Sequence, residues 1–269
     1  MNTSSFIMKA IYLSIVTLLF AGCASAQVEP TETITPPPPT ATADEDDKVS
    51  QMVQNISWLR STNPYGHTGI KIQTDEQVFY LDPVDLVGIE ALPKADLILV
   101  THNHDDHFSP QTISELSNED TAIVSIESIL RSFSDNTYPI APGEKINAAG
   151  LNIEGVPAYN DYHAKNMGFL GFIFSINDVR IYLSGDTDFV PEMEALTDID
   201  IAVMNVREPY SLSGEEVVNF AKIVKPKVII PIHWIPENDT YGDKEQIEYI
   251  QQYIPSTTQF IVLELTPQS

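Results

Sequence analysis

Cysteine is nearly absent from this chain: Cys23 is the single one in 269 residues. A disulfide framework within the chain is therefore excluded, and a metal site here must be built from histidine and carboxylate rather than from clustered thiolates. Cationic side chains are scarce too, 14 lysines and arginines against 38 aspartates and glutamates, for a formal charge of −24. Such a surface repels polyphosphate at long range, which argues against a nucleic-acid partner. It leaves room for a small anion, because a bound divalent cation dominates its local field. The apolar run from Ala10 to Gly22 falls short of the roughly 20 residues that a transmembrane helix needs. No internal repeat is evident. What is present is a 43% hydrophobic fraction, enough for a substantial core in one large domain or two small ones.

The N-terminal region reads as an export and attachment device. Residues 1–22 have Lys9 ahead of the apolar run, the pattern of a signal peptide. Phe20-Ala21-Gly22-Cys23 resembles a bacterial lipobox, in which Cys23 becomes the lipidated first residue of an envelope lipoprotein. The competing site is Ala24-Ser25-Ala26, where ordinary cleavage before Gln27 would release a secreted protein. Residues 23–50 then read as a disordered, semi-rigid spacer, from Pro36-Pro37-Pro38-Pro39 and the self-repelling block Asp44-Glu45-Asp46-Asp47. The body, 51–269, is expected to be a separate domain.

Within the body, β-branched runs bounded by turn signals predict strands at 56–60, 70–74, 78–81, 97–100, 123–125, 168–176, 179–183, 199–206, 228–232 and 260–265, with a meander over 138–159. Ser109-Pro110 and Ser213 each offer a helix start, and 244–253 has helical spacing. Many strands with interspersed helices point to an α/β layer structure.

Three of the six histidines fall inside Thr101-His102-Asn103-His104-Asp105-Asp106-His107-Phe108, directly after the apolar strand 97–100. A strand that ends in His, His, Asp and His at offsets 0, 2, 4 and 5 gathers nitrogen and oxygen donors suited to zinc, manganese or iron. The alternative is a solvated loop rich in histidine by chance. Three further loops carry candidate ligands: His163 between two strands, Asp186 in Ser184-Gly185-Asp186-Thr187-Asp188, and His233 closing a strand. Gly185 would let the backbone turn sharply enough to aim Asp186 inward.

In that order these elements resemble the metallo-β-lactamase superfamily, over roughly residues 53–265. Asp82-Pro83, Ala158-Tyr159-Asn160, Gly185-Asp186-Thr187-Asp188 and Pro231-Ile232-His233 resemble the branch of small metal-dependent hydrolases that includes ascorbate-phosphate lactonases. The resemblance implies a four-layer αββα sandwich with two divalent metal ions in its edge cleft. It implies His102, His104 and His163 on one ion, Asp106, His107 and His233 on the other, and Asp186 bridging both. A hydroxide held between ions roughly 3.5–4 Å apart would be the nucleophile, with Asp106 and Asp186 the carboxylates closest to the chemistry. Asp82 is expected to orient a ligand histidine. His67 divides between an outer or substrate contact and a structural hydrogen bond. Arg207 divides between holding a substrate carboxylate or phosphate and pairing with a nearby carboxylate; at Arg207-Glu208-Pro209-Tyr210 the branch more often has small residues. Asp105 and Asp188 read as solvated or locally bonded carboxylates, and Trp58, Trp234 and Tyr162 as core or cleft wall.

The leading expectation is hydrolysis of a small ester or lactone. The same metal pair would support phosphodiester hydrolysis, including that of a phospholipid-derived molecule near a membrane. A different class is a non-catalytic, surface-tethered binding lipoprotein, which a degenerate ligand set would favour. β-Lactam hydrolysis is disfavoured, since enzymes with that activity usually lack an equivalent of Asp186 and many use a cysteine ligand.

Overall fold

Two runs of strands pack face to face because most of their side chains are apolar on both surfaces. The computed structural model describes residues 43–65, 67–236 and 243–267. The expected signal peptide, Cys23 and the start of the spacer lie outside these residues. The chain divides at Thr40/Ala41, and all that is described belongs to the second unit, Ala41–Ser269.

The first sheet has six strands in sequence order: β1 (Ile56–Trp58), β2 (Ile70–Gln73), β3 (Val78–Leu81), β4 (Leu97–Leu99), β5 (Ala122–Ser125) and β6 (Thr137–Pro139). β1 to β3 are antiparallel neighbours, and β3 to β6 are parallel. The second sheet has seven: β7 (Lys145–Ala148), β8 (Leu151–Pro157), β9 (Leu170–Ile176), β10 (Val179–Leu183), β11 (Ile201–Asn205), β12 (Val228–Ile232) and β13 (Gln259–Phe260). In it β7 to β10 are antiparallel and β10 to β13 parallel. β4, β5, β11 and β12 are buried at every residue, as strands covered on both faces must be. The chain is thus an α/β sandwich of two mixed sheets. Helices α2 (Pro110–Leu116) and α3 (Glu127–Leu130) follow strands of the first sheet; α4 (Pro191–Glu194), α5 (Gly214–Val224) and α6 (Asp243–Tyr253) belong to the second half.

Local chemistry sets several boundaries. Ser109 caps α2 by accepting from the Thr112 N–H, with Pro110 at the first helical position. Ser213 and Glu216 form a reciprocal capping box on α5, and Lys225 closes that helix in a left-handed conformation.

Three expectations need correction. Residues 43–50 are not spacer: Ala43–Gln54 is helix α1, with Asp44, Glu45 and Asp46 in its first turn. Carboxylates there answer the exposed N–H groups and positive end of the helix, so the acidic block starts a helix instead of keeping the chain extended. Val49 and Met52, three apart, bury their side chains in the core and tie α1 to the body. Within the 138–159 meander, only β7 and β8 form a hairpin; β6 instead extends the first sheet beside β5. The closing strand is also shorter than 260–265, ending at Phe260, with a single bridge from Leu265 to Trp58.

Candidate metal centre

Every sequence-named ligand, and Asp82 behind them, follows the C-terminal end of a strand, and the sandwich brings those ends to one edge. Asp82 follows β3, the 102–107 cluster follows β4, His163 follows β8, Asp186 follows β10 and His233 follows β12. Three of these ends turn through left-handed backbone, Asp82 at φ 44°, Gly185 at φ 63° and His233 at φ 72°. For aspartate and histidine that conformation costs on the order of 1–3 kcal/mol, and it persists where surrounding contacts over-determine it. At Gly185 only glycine fits, since a Cβ would stand 2.5 Å from the Leu170 carbonyl oxygen.

The ring nitrogens converge. His107 Nε2 and His233 Nε2 lie 3.2 Å apart, and Asp186 Oδ2 lies 3.3 Å from the first and 3.4 Å from the second. A triangle with those sides has its centre about 1.9 Å from each corner, near the roughly 2.0–2.2 Å of zinc bonds to nitrogen and oxygen. Asp106 Oδ2 adds a fourth donor 3.6 Å from His233 Nε2. On the other side, His163 Nε2 sits 3.1 Å from His104 Nδ1 and 3.7 Å from Asp186 Oδ2. His102, His104 and His163 offer donor atoms within 4.8 Å of one another, as do His102, His107 and Asp186, and Asp106, His107 and His233. The single oxygen Asp186 Oδ2 thus faces both groups of histidines.

Behind the ligands stands a layer of polar side chains that sets ring orientation and protonation. Asp82 accepts from the Thr101 N–H and the Thr101 hydroxyl, both at 2.7 Å, and from His107 Nδ1 at 2.8 Å. With its proton given to Asp82, Thr101 Oγ1 is left to accept from His102 Nδ1 at 3.0 Å. His102 Nε2 then carries a lone pair into the centre, and this buried atom has no hydrogen-bond partner. An orphaned buried nitrogen is costly unless something such as a cation answers it, so the donor set fits a metal. Asn160 Oδ1 accepts from His163 Nδ1 at 2.9 Å, freeing that Nε2 likewise. Asn205 Nδ2 donates to Asp186 Oδ1 at 2.8 Å, leaving Oδ2 for the centre.

Electrostatics point the same way. Burial alone would raise the Asp186 carboxyl, but His107 and His233 overcome it and hold it well below the usual carboxylate range. Burial would likewise lower His107, yet Asp186 and the hydrogen bond to Asp82 lift it well above an ordinary histidine. His102 is driven well down by burial and by His107. His163 is pushed down to about 4, by burial first and then by His104 and His107 against the pull of Asp186. The middle of the site attracts positive charge, while His102 and His163 stay neutral and able to ligate.

Beside the centre opens a cleft of about 410 Å³, bordered by Tyr65, Asn103, His104, Asp105, Asp106, Arg207 and Tyr210. Arg207 borders it but also donates from Nη1 to the His233 carbonyl at 3.3 Å, with Asp243 Oδ2 at 3.9 Å. His67 Nδ1 accepts from the Ser61 N–H at 3.1 Å, and its carbonyl accepts from Trp58 Nε1 and the His233 N–H. These bonds tie its Nδ1 and its carbonyl to Ser61, Trp58 and the His233 backbone. Asp105 is exposed, whereas Asp188 is raised to about 6 by partial burial and by Glu216 and Asp161. Trp58 and Trp234 are buried and stacked, and Tyr162 is exposed. From the sequence no role is assigned to Thr101, Asn160 or Asn205, although Thr101 and Asn160 stand within the quoted motifs. Their one signal there is a place immediately before, near or at the end of a ligand-bearing or neighbouring strand.

A family model described as "Beta-lactamase superfamily domain" matches residues 62–233. A UPF0173 metal-dependent hydrolase of Thermoplasma acidophilum is 32% identical over 165 residues, covering 57% of this chain and 71% of the relative. A UPF0173 protein of Pyrococcus abyssi is 27% identical over 179 residues, or 66% of this chain and 83% of that one. Among solved structures, a protein from Parabacteroides distasonis superposes with a TM-score of 0.65 at 29% identity, over 75% of this chain and 91% of the other.

Proposed function

This chain belongs to the metallo-β-lactamase superfamily, among its metal-dependent hydrolases, and from that premise we propose that it hydrolyses a small ester or lactone at a two-metal centre. The observation that carries the reading is the buried, partnerless His102 Nε2 facing a set of imidazoles and carboxylates, with Asp186 Oδ2 reaching both halves. His102, His104 and His163 would hold one cation, Asp106, His107 and His233 the other, and Asp186 both. When bound, such a pair lowers the pKa of the attacking water and polarises the carbonyl. Zinc suits the nitrogen-rich donors best, and manganese or iron would also be accepted.

The chain's own groups do the rest. Asp82 and Thr101 fix the tilt of the His107 and His102 rings, so their Nε2 atoms already face the centre. Asn160 and Asn205 do the same for His163 and Asp186. Asp106, half-buried and bordering the cleft, would take the proton from water and return it to the leaving oxygen. In the balanced reaction, water adds to the carbonyl carbon, the C–O bond breaks, and an acid and an alcohol result; for a lactone both remain in one molecule.

To test it, the full chain is loaded with zinc or manganese and assayed on a panel of small lactones, carboxylic esters and chromogenic phosphodiesters, with a chelated control. Chelator-sensitive turnover of lactones or esters is expected. Turnover of phosphodiesters alone would replace this reading with the phosphodiesterase, and metal binding without any turnover would favour a binding protein.

The lipobox-like Phe20-Ala21-Gly22-Cys23 supports a second proposal, an envelope lipoprotein anchored at Cys23. Among the described residues no helix is long and apolar enough to cross a membrane. Cys23→Ser should move the protein from the membrane fraction to the soluble one; unchanged partitioning would exclude the anchor.

A further inference from the structure

Large aromatic side chains are exposed at the mouth of the cleft. Tyr65 and Tyr210 border it, 55% and 39% exposed. Tyr162, directly before His163, is 56% exposed and packs its ring on that of Tyr210 at 4.8 Å between centroids. The fold buries Tyr80 and Tyr182 and leaves Tyr249 and Tyr253 exposed as a pair on α6. What marks the three at the rim is their place around one cleft beside the donor atoms.

Their backbones are pinned in the same way that the ligand loops are. Asn63 Oδ1 accepts from the Tyr65 N–H at 2.9 Å, and Asn63 Nδ2 donates to the Asp105 carbonyl at 2.8 Å. Asn160 Oδ1 accepts from the Tyr162 N–H at 2.8 Å as well as from His163, and Asn160 Nδ2 donates to the Tyr210 carbonyl at 2.7 Å. Two asparagines, each bending its own loop by bonding two residues on, thus fix the aromatic rim in register with the donor atoms. A preset aromatic wall costs little further entropy when a ligand arrives, and a flat ring gains more against it than a puckered one of equal size. The carboxylates Asp105 and Asp106 on the same border disfavour an anionic ring there.

We propose that Tyr65, Tyr162 and Tyr210 form a stacking subsite, and that the substrate is an ester or lactone carrying a flat, uncharged aromatic ring. The subsite rests on the hydrolase reading above, and it decides which part of the substrate stays outside the metal centre while the carbonyl enters it.

The experiment compares methyl phenylacetate with methyl cyclohexylacetate, which share a leaving group and differ in the flatness of the ring. The ratio of their kcat/KM values is measured for the metal-loaded full chain, Tyr65→Ala, Tyr210→Ala and Tyr210→Phe. A preference for the phenyl ester is expected in the wild type. It should fall roughly five- to tenfold in Tyr210→Ala and survive in Tyr210→Phe. An equal ratio in wild type and both alanine variants overturns the subsite. Failure of the hydrolase reading looks different: neither ester is turned over. Binding then decides, by ligand-observed NMR of phenylacetate against cyclohexylacetate on the same proteins. Preferential phenylacetate binding lost in Tyr210→Ala supports the subsite, and equal or absent binding overturns it.

Discussion

The inner and outer halves of the centre are built to different standards. His102, His107, His233 and Asp186 are all buried, and three of them are tied to buried side chains: His102 to Thr101, His107 to Asp82, and Asp186 to Asn205. His104 is exposed, Asp106 is half-buried, and both border the open cleft. His163 lies between the two kinds, buried itself but held by Asn160 in a loop that also carries Tyr162 and bonds to the Tyr210 carbonyl. On the proposed reading, donors locked against the core would supply preorganised affinity, and donors facing the cleft would meet the substrate and its moving proton.

The hardest blow to both halves at once is Asp186→Ala, since Oδ2 serves each group. It should cut kcat/KM on the best ester by more than the roughly 10–100-fold that loss of an outer partner costs. Turnover within tenfold of wild type would break the shared role. Next comes the inner half alone. Asp82→Asn strips the charge that Thr101 and His107 share, so metal affinity in a chelator competition should drop about 10–100-fold. The thermal midpoint should drop as well, because a buried donor left unsatisfied costs about 1–3 kcal/mol. Intact affinity would show that the buried network is only structural. The smallest effect is expected from Asn160→Ala in the outer half, roughly tenfold in affinity with a smaller fall in thermal midpoint than Asp82→Asn causes. The reverse order of midpoints would erase the contrast between the halves.

What could be read in the sequence follows from how local each signal is. Ser213 with Glu216, or Ser109 with Pro110, states a helix start within four residues, and both helices begin there. The clustered histidines and the turn at Gly185 carry the centre in short stretches, and the strand ends deliver them to one edge. The misread segments each depend on a distant partner. β6 joins the first sheet because β5 offers it an edge, which no residue in Thr137–Pro139 announces. α1 forms because Val49 and Met52 find the core, which outweighs the repulsion expected within Asp44–Asp47. Thr101, Asn160 and Asn205 are ordinary polar residues until the fold sets Asp82, His163, Tyr210 and Asp186 beside them. Even where a role was foreseen, as for Asp82, the identity of its histidine came only with the structure.

The proposed centre holds one bridged pair of cations rather than one ion or none. It is tested most directly by counting metal per chain in the full-length protein, loaded with zinc, dialysed and measured by elemental analysis alongside native mass spectrometry. Two ions per chain in the wild type, falling in Asp186→Ala, is the predicted result. A single ion in both proteins, or none in either, would contradict the account.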